Sequence, residues 1–206
     1  MNKHFFNAIP IATEHTDYFL KNDEVDYLRK LEYNLPENKN KVKVSQRENI
    51  LNDTCMRDVK SFIIDKAEEY KKNILQIKNE IILTQSWATF NTQNTSHHPH
   101  MHPNTFISLV YYVKCKGEGG NIVFELEKTR LQEGFNFNYT IDKYNEYNSL
   151  TWTFKTKEGM IAIFPGWLRH STTPFEGKER IIIGANFFIT GTIGMKGNTD
   201  LINLKC

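Results

Sequence analysis

The sequence predicts a mainly β protein, a sandwich or barrel of short antiparallel strands preceded by helices. Three observations predict it. Up to about residue 80 apolar residues recur at helical spacing, from residue 81 they gather into short β-branched and aromatic runs, and Gly, Pro and Asn separate those runs. The length of 206 residues suits a single domain, and 14 Phe, 9 Tyr and 3 Trp provide for one sizeable core although the apolar fraction is only 39%. One unit with two parts is expected, a helical support over residues 1–80 and a β core over residues 81–206.

Along the chain, Asn22 and Asp23 offer caps for a short helix running to about Asn34. LPENKNKVK (residues 35–43) is polar, contains Pro36 and reads as an exposed loop. Val59, Phe62, Ile63, Ala67, Tyr70 and Ile74 then mark one face of a second helix, most simply used for core packing. IILTQSWATF, TFISLVYYV, NIVFEL, SLTWTFK, GMIAIFP and ERIIIGANFFI follow as strands. The stretch from Glu127 to Ser149 breaks their rhythm. Rich in Asn, Tyr and charge, it reads as a long loop, either a lid over a site or an insertion without function. No internal repeat or low-complexity tract interrupts the pattern.

Charge and composition exclude several functions. Lys plus Arg (26) against Asp plus Glu (24) gives a net charge of +2, too little for a basic field that grips a nucleic-acid backbone. No apolar run approaches the roughly 20 residues of a membrane span, and MNKHFFNAIP lacks the apolar centre of a signal peptide. A soluble protein of the cytoplasm is expected. Cys55, Cys115 and Cys206 are far apart and in no zinc-binding spacing, so they read as free thiols.

The chemistry concentrates in His97-His98-Pro99-His100-Met101-His102, which holds four of the seven histidines. In an extended segment the two-residue period puts His98, His100 and His102 on one face, so either adjacent pair can bite one metal ion, while His97 points away. Imidazole nitrogen suits Fe, Zn, Cu or Ni. A His-rich loop with adventitious metal affinity is the plainer alternative. Against it stands FPGWLRHSTTPFEGKERIII, which sets His170 after one apolar strand, where it can supply a third ligand, and Arg180 at the start of the next. Alone, His170 would be a turn histidine and Arg180 a strand residue paired with Glu176 or Glu179. Pro99 and Pro103 cannot donate ladder hydrogen bonds, so the histidine segment is expected to be an edge or a bulged strand.

The order of these motifs resembles a 2-oxoglutarate and Fe(II)-dependent oxygenase family found in marine bacteria and their phages. The match runs through SWATFNTQNTSHHPHMHPNTFISLVYYV, GGNIVFE, GMIAIFPGWLRHS and ERIIIGANFF, with FFNAIP near the start. The resemblance implies a double-stranded β-helix, the jelly-roll barrel of that superfamily, with His100, His102 and His170 as metal ligands. It implies that Arg180 holds the distal carboxylate of 2-oxoglutarate, that Tyr112 adds a hydroxyl as in prolyl-hydroxylase relatives, and that Ser108 shares their face. Trp87, Phe90, Asn91 and Asn186 become candidates for the pocket wall. The implied reaction consumes O2, turns 2-oxoglutarate into succinate and CO2, and hydroxylates a C–H bond of a peptidyl, amino-acid or other small-molecule substrate. One feature departs from the wider superfamily, whose second ligand is Asp or Glu: no acidic residue occurs between Ile81 and Gly117. A 2-oxoglutarate dianion would balance the charge of Fe(II) on three neutral imidazoles, but the metal's identity stays open among Fe, Zn, Cu and Ni. Two other functions fit the same residues, a three-histidine cupin-type enzyme that does not use 2-oxoglutarate and a non-catalytic jelly-roll binding module. A homo-oligomer is neither required nor excluded.

Overall fold

Alternation along four long strands decides the architecture. The computed structural model describes residues 8–34, 42–126, 140–145 and 148–204. The expected strands appear as β3 (Ile81–Asn91), β4 (Ile107–Gly119), β5 (Ile122–Glu125), β6 (Thr151–Phe154), β7 (Met160–Pro165) and β9 (Phe175–Ile189). Before them lie β1 (Ala12–His15) and β2 (Lys43–Val44), His170 opens the separate strand β8 (His170–Thr172), and β10 (Gly191–Ile193) pairs with β11 (Ile202–Leu204) in a terminal hairpin. The large sheet has the order β1-β7-β4-β9-β3-β2 and the small one β6-β5-β8. Every pairing in both sheets is antiparallel.

Each face of the large sheet is covered. Leu109, Tyr111 and Val113 of β4, Ile161 and Ile163 of β7, Ile181, Ile183 and Ala185 of β9 and Ala88 of β3 pack against the helices α1 (Asn22–Lys30) and α2 (Arg57–Tyr70). The residues between them, Val110, Tyr112, Ala162 and Phe164, face the small sheet and meet Ile122 and Phe124 of β5. Strands buried on both sides carry continuous apolar runs, which is why these read so clearly in the sequence. Two opposed antiparallel sheets closed around this second cluster make the expected double-stranded β-helix.

The first 80 residues are less helical than expected, since β1 and β2 add the two edge strands of the large sheet. Helix α1 is capped by neither Asn22 nor Asp23. Lys21 is its N-cap, and the Glu24 carboxylate accepts the Lys21 backbone N–H at 2.6 Å. The helix stops at Lys30, short of Asn34, because Leu31 turns extended and Tyr33 leaves to bridge Ser45. On α2 the stripe Val59, Ile63, Ala67 and Tyr70 is buried as expected. A π-turn over Lys71–Leu75 then rotates the backbone, and Ile74 ends 46% exposed. Most of the 35–43 loop and of the Glu127–Ser149 lid candidate lies outside the described residues, as does Cys206; Cys55 and Cys115 are free.

Candidate metal centre

The histidine segment is not a regular strand. It runs alongside the turn before β8 and β8 itself through scattered bonds: His100 and His170 exchange both backbone hydrogen bonds at 2.9 Å, His102 N–H donates to Gly166 at 2.9 Å, and Thr172 N–H donates to His97 at 3.1 Å. The two prolines explain the irregularity, because neither can donate to a ladder. The period-two expectation therefore fails locally. His98 is exposed, whereas His97, expected to point away, stacks on His100 with ring centroids 4.1 Å apart and lines the same chamber.

His100, His102 and His170 converge. One nitrogen of each lies within 4.8 Å of the others, the only such group of three among the described residues. His100 and His170 share a backbone bridge, and the turn Pro165–Leu168, closed by Leu168 N–H to Pro165 at 3.0 Å, carries His170 back into the barrel. There it is 5% exposed against Phe164 and Phe124. All three imidazoles use Nδ1 outward: His100 toward the His98 carbonyl at 2.8 Å, His170 toward the Leu168 carbonyl at 2.9 Å, and His102 toward Ser108 Oγ at 2.7 Å and Asn186 Oδ1 at 2.9 Å. A proton on Nδ1 leaves Nε2 with a free lone pair, the arrangement found in metal-binding histidines. Burial first, and neighbouring His100 second, lowers His170 and His97 to about 3 and His102 to about 4; burial lowers His100 too. The rings are thus neutral near pH 7 and able to bind a metal.

Arg180 lies in the same chamber, 1% exposed. It pairs with neither Glu176 nor Glu179; Glu179 instead meets Arg29 at 2.7 Å and Lys116 at 3.0 Å. The guanidinium sits over the Tyr112 ring, 5.1 Å from its centroid. Its Nε and Nη2, the two donors along one side of the fork, have no hydrogen-bond partner. A buried cation with two parallel donors unused is the complement of a carboxylate. Gly120 makes room for it: at φ +62° a Cβ there would lie 2.9 Å from Arg180 Nη1. Burial raises Tyr112 to about 12 against the opposing pull of Arg180, so its hydroxyl keeps its proton.

The remaining candidates divide by strand parity. Trp87 lines the chamber, edge-on to His102 at 5.3 Å and over Gly184, where a Cβ would come within 2.4 Å of the indole. Asn91 lines it too, fully buried, its amide donating to Thr95 while Oδ1 has no partner. Phe90 does not. It points to the opposite face of β3 and packs edge-on against Tyr33 under the helices, as period two requires of a residue beside Asn91. Ser108 and Asn186 lie behind His102 rather than on the chamber wall, bonded to each other at 2.9 Å, and Asn186 also faces an outer cleft of about 340 Å³. Sequence reasoning missed His97 and Gly120, and also Gln85, whose Oε1 accepts the Asn186 NH2 at 3.0 Å. Only the glycine pair at 119–120 could have signalled a tight approach.

Residues 85–186 match the family model described as "Putative 2OG-Fe(II) oxygenase", and the match holds the three histidines, Arg180, Tyr112 and Ser108. No curated protein matches the sequence. Among solved structures the chain is similar to a prolyl-4-hydroxylase from Pseudomonas putida, at 14% identity and TM-score 0.59 over 89% of this chain and 94% of that one. HygX from Streptomyces hygroscopicus, solved with nickel and 2-oxoglutarate bound, is similar at 8% identity and TM-score 0.57, over 88% and 84% of the two chains. A Trichoplax adhaerens prolyl hydroxylase in complex with a hypoxia inducible factor peptide follows at 12% identity and TM-score 0.56, over 86% and 83%. At such identities the likeness is one of fold. Among the described residues no helix is long and apolar enough to cross a membrane. The matched stretch, about half of the chain, makes it a member of the 2OG-Fe(II) oxygenase family, an enzyme whose cofactors are Fe(II), 2-oxoglutarate and O2.

Proposed function

We propose that the protein hydroxylates a C–H bond of a peptidyl, amino-acid or other small-molecule substrate, with His100, His102 and His170 holding Fe(II) and Arg180 holding the distal carboxylate of 2-oxoglutarate. The observation that carries this reading is Arg180, whose Nε and Nη2 are buried, unpartnered and in the chamber of the three histidines. A structural arginine would have used those donors. Fe(II) with 2-oxoglutarate supplies, when bound, the oxidation in which the keto acid and O2 yield succinate, CO2 and one hydroxyl on the substrate.

The protein's own residues do the rest. The three neutral imidazoles offer nitrogen and no charge, so charge balance at the metal falls to the 2-oxoglutarate dianion. Tyr112 keeps its proton and stands beside Arg180 as a second donor. Trp87, Ile122, Val110 and Ile182 supply apolar wall that keeps water from the reacting carbon. Met101, between His100 and His102, and Trp167, next to the Gly166 whose carbonyl accepts the His102 N–H, are 51% and 56% exposed, apolar surface that a substrate can cover.

An anaerobic titration of metal-free protein with Fe(II) and then 2-oxoglutarate tests the whole centre. The expected result is a visible charge-transfer band that saturates near one equivalent, disappears in His170→Ala and weakens in Arg180→Ala. Tight iron binding with no band would replace this reading with that of a three-histidine enzyme that does not use 2-oxoglutarate. Binding of neither would leave a jelly-roll binding module.

A further inference from the structure

His102 is held differently from its two partners. His100 and His170 donate Nδ1–H to backbone carbonyls of their own loops, and a carbonyl only accepts, so their tautomers are fixed locally. His102 meets two reversible groups, the Ser108 hydroxyl and the Asn186 carboxamide. A carboxamide turned over would present NH2 to Nδ1 and push the proton to Nε2, the nitrogen a metal needs bare. What fixes Asn186 lies farther out. Its NH2 donates to Gln85 Oε1 at 3.0 Å, and the Gln85 NH2 donates to Glu48 Oε2 at 3.2 Å.

Glu48 is the end that cannot be reversed, because a carboxylate only accepts. It must take the Gln85 NH2, which leaves Gln85 Oε1 for Asn186, which leaves Asn186 Oδ1 for His102 Nδ1–H. Its place is secured by the backbone: the Glu48 carbonyl accepts Ser86 N–H at 2.8 Å, and Asn49 bridges Ser86. The adjacent cation Arg47 is taken by Asp53 at 2.6 Å, so among the described residues Glu48 makes no ion pair. We infer that Glu48, Gln85 and Asn186 are positioning residues, a one-way chain of hydrogen bonds that sets the tautomer of His102 from the surface. Glu48 precedes the matched stretch 85–186, so the N-terminal segment takes a part in the centre beyond support.

The consequence for metal affinity rests on the three-histidine reading, but the tautomer itself does not. The test is long-range proton–nitrogen NMR of the full-length metal-free chain labelled in its histidine rings, with the His102 signals assigned by their loss in His102→Asn. The wild type is expected to show His102 protonated at Nδ1, and Glu48→Ala and Gln85→Leu to show the Nε2–H form appearing for His102 while His100 and His170 stay unchanged. Both variants lie toward the surface, and circular dichroism confirms that each is folded. Co(II) affinity, read in parallel, is expected to fall about 10-fold or more in Gln85→Leu, the range for losing a partner that orients a metal-binding histidine. An unchanged His102 tautomer in both folded variants overturns the chain. The expected tautomer change in the variants, with no Co(II) binding by the wild type, supports the chain and overturns the metal reading instead.

Discussion

The two faces of the large sheet are both covered and differ in what they bury. Toward the helices β9 presents Ile181, Ile183 and Ala185; toward the small sheet the intervening positions are Arg180, Ile182, Gly184 and Asn186. The helix face is apolar and well packed. The barrel face holds a buried cation with two unused donors and an Asn91 carbonyl with none to accept. Unsatisfied groups of this kind lower stability, and among the described residues the buried side-chain ones sit only on the face with the histidines, so one side of the same strands carries the fold and the other the chemistry.

Substitutions that separate stability from binding would sharpen this contrast. Ile183→Ala on the helix face is expected to lose about 2–5 kcal/mol in urea unfolding, the usual cost of emptying a buried aliphatic site, with 2-oxoglutarate affinity of the folded protein unchanged. Arg180→Met, on the other face, should unfold at the same or a higher urea concentration, since it removes an unpaired buried charge, yet weaken 2-oxoglutarate by about 30-fold, roughly 2 kcal/mol. Equal stability losses in the two variants would break the division. A smaller effect is expected at the turn under the guanidinium. Gly120→Ala forces a Cβ against Arg180 at positive φ, costing about 1 kcal/mol and lowering 2-oxoglutarate affinity in the charge-transfer titration, with metal affinity retained.

The smallest effect concerns pH. Arg29 first, and Lys116 with it, lowers Glu179 to about 2 in the folded state, against about 4.3 when unfolded. A depressed carboxylate contributes stability that is fully present above the unfolded value and is lost as pH falls toward 2. Because Arg29 and Lys116 are solvent-exposed, the contribution is about 1 kcal/mol at most. Glu179→Gln should therefore flatten the acid limb of a stability–pH curve between about pH 5 and 2 and leave the curve near pH 7 parallel to the wild type. A variant as steep as the wild type would show that the pair does not act in solution.

Much of the fold was legible because strands buried on both faces write long apolar runs into the sequence; His170 and Arg180 stood out beside those runs, while the choice of His100 and His102 over His98 came from the family resemblance and not from spacing. The place of Tyr112 beside Arg180 came from the family resemblance; parity only put it on one face with Ser108 and Val110. The same rule, applied to β3, would have set Phe90 opposite Trp87 and Asn91 and kept it out of the pocket. Other features leave no periodic trace. Strand β2 is two residues long, its pairing with β3 is distant in sequence, and the inward turn of His97 follows from prolines that break the strand period. The bonds from Glu48 to Asn186 join residues 37 and 101 positions apart, and no spacing rule reaches that far.

The position of β9 within the sheet has a kinetic consequence. It lies between β4 and β3, hydrogen-bonded on both sides along most of its length, whereas His100 and His102 stand on a segment tied down by isolated bridges. In hydrogen exchange the amides around Ile181–Ala185 should open only with the whole molecule, and those around His97–His102 in far smaller excursions. The two halves of the centre therefore belong to different cooperative units. On the proposed reading, the segment with two of the three histidines would fray and re-form around a metal while the arginine proposed to anchor the co-substrate stays in place.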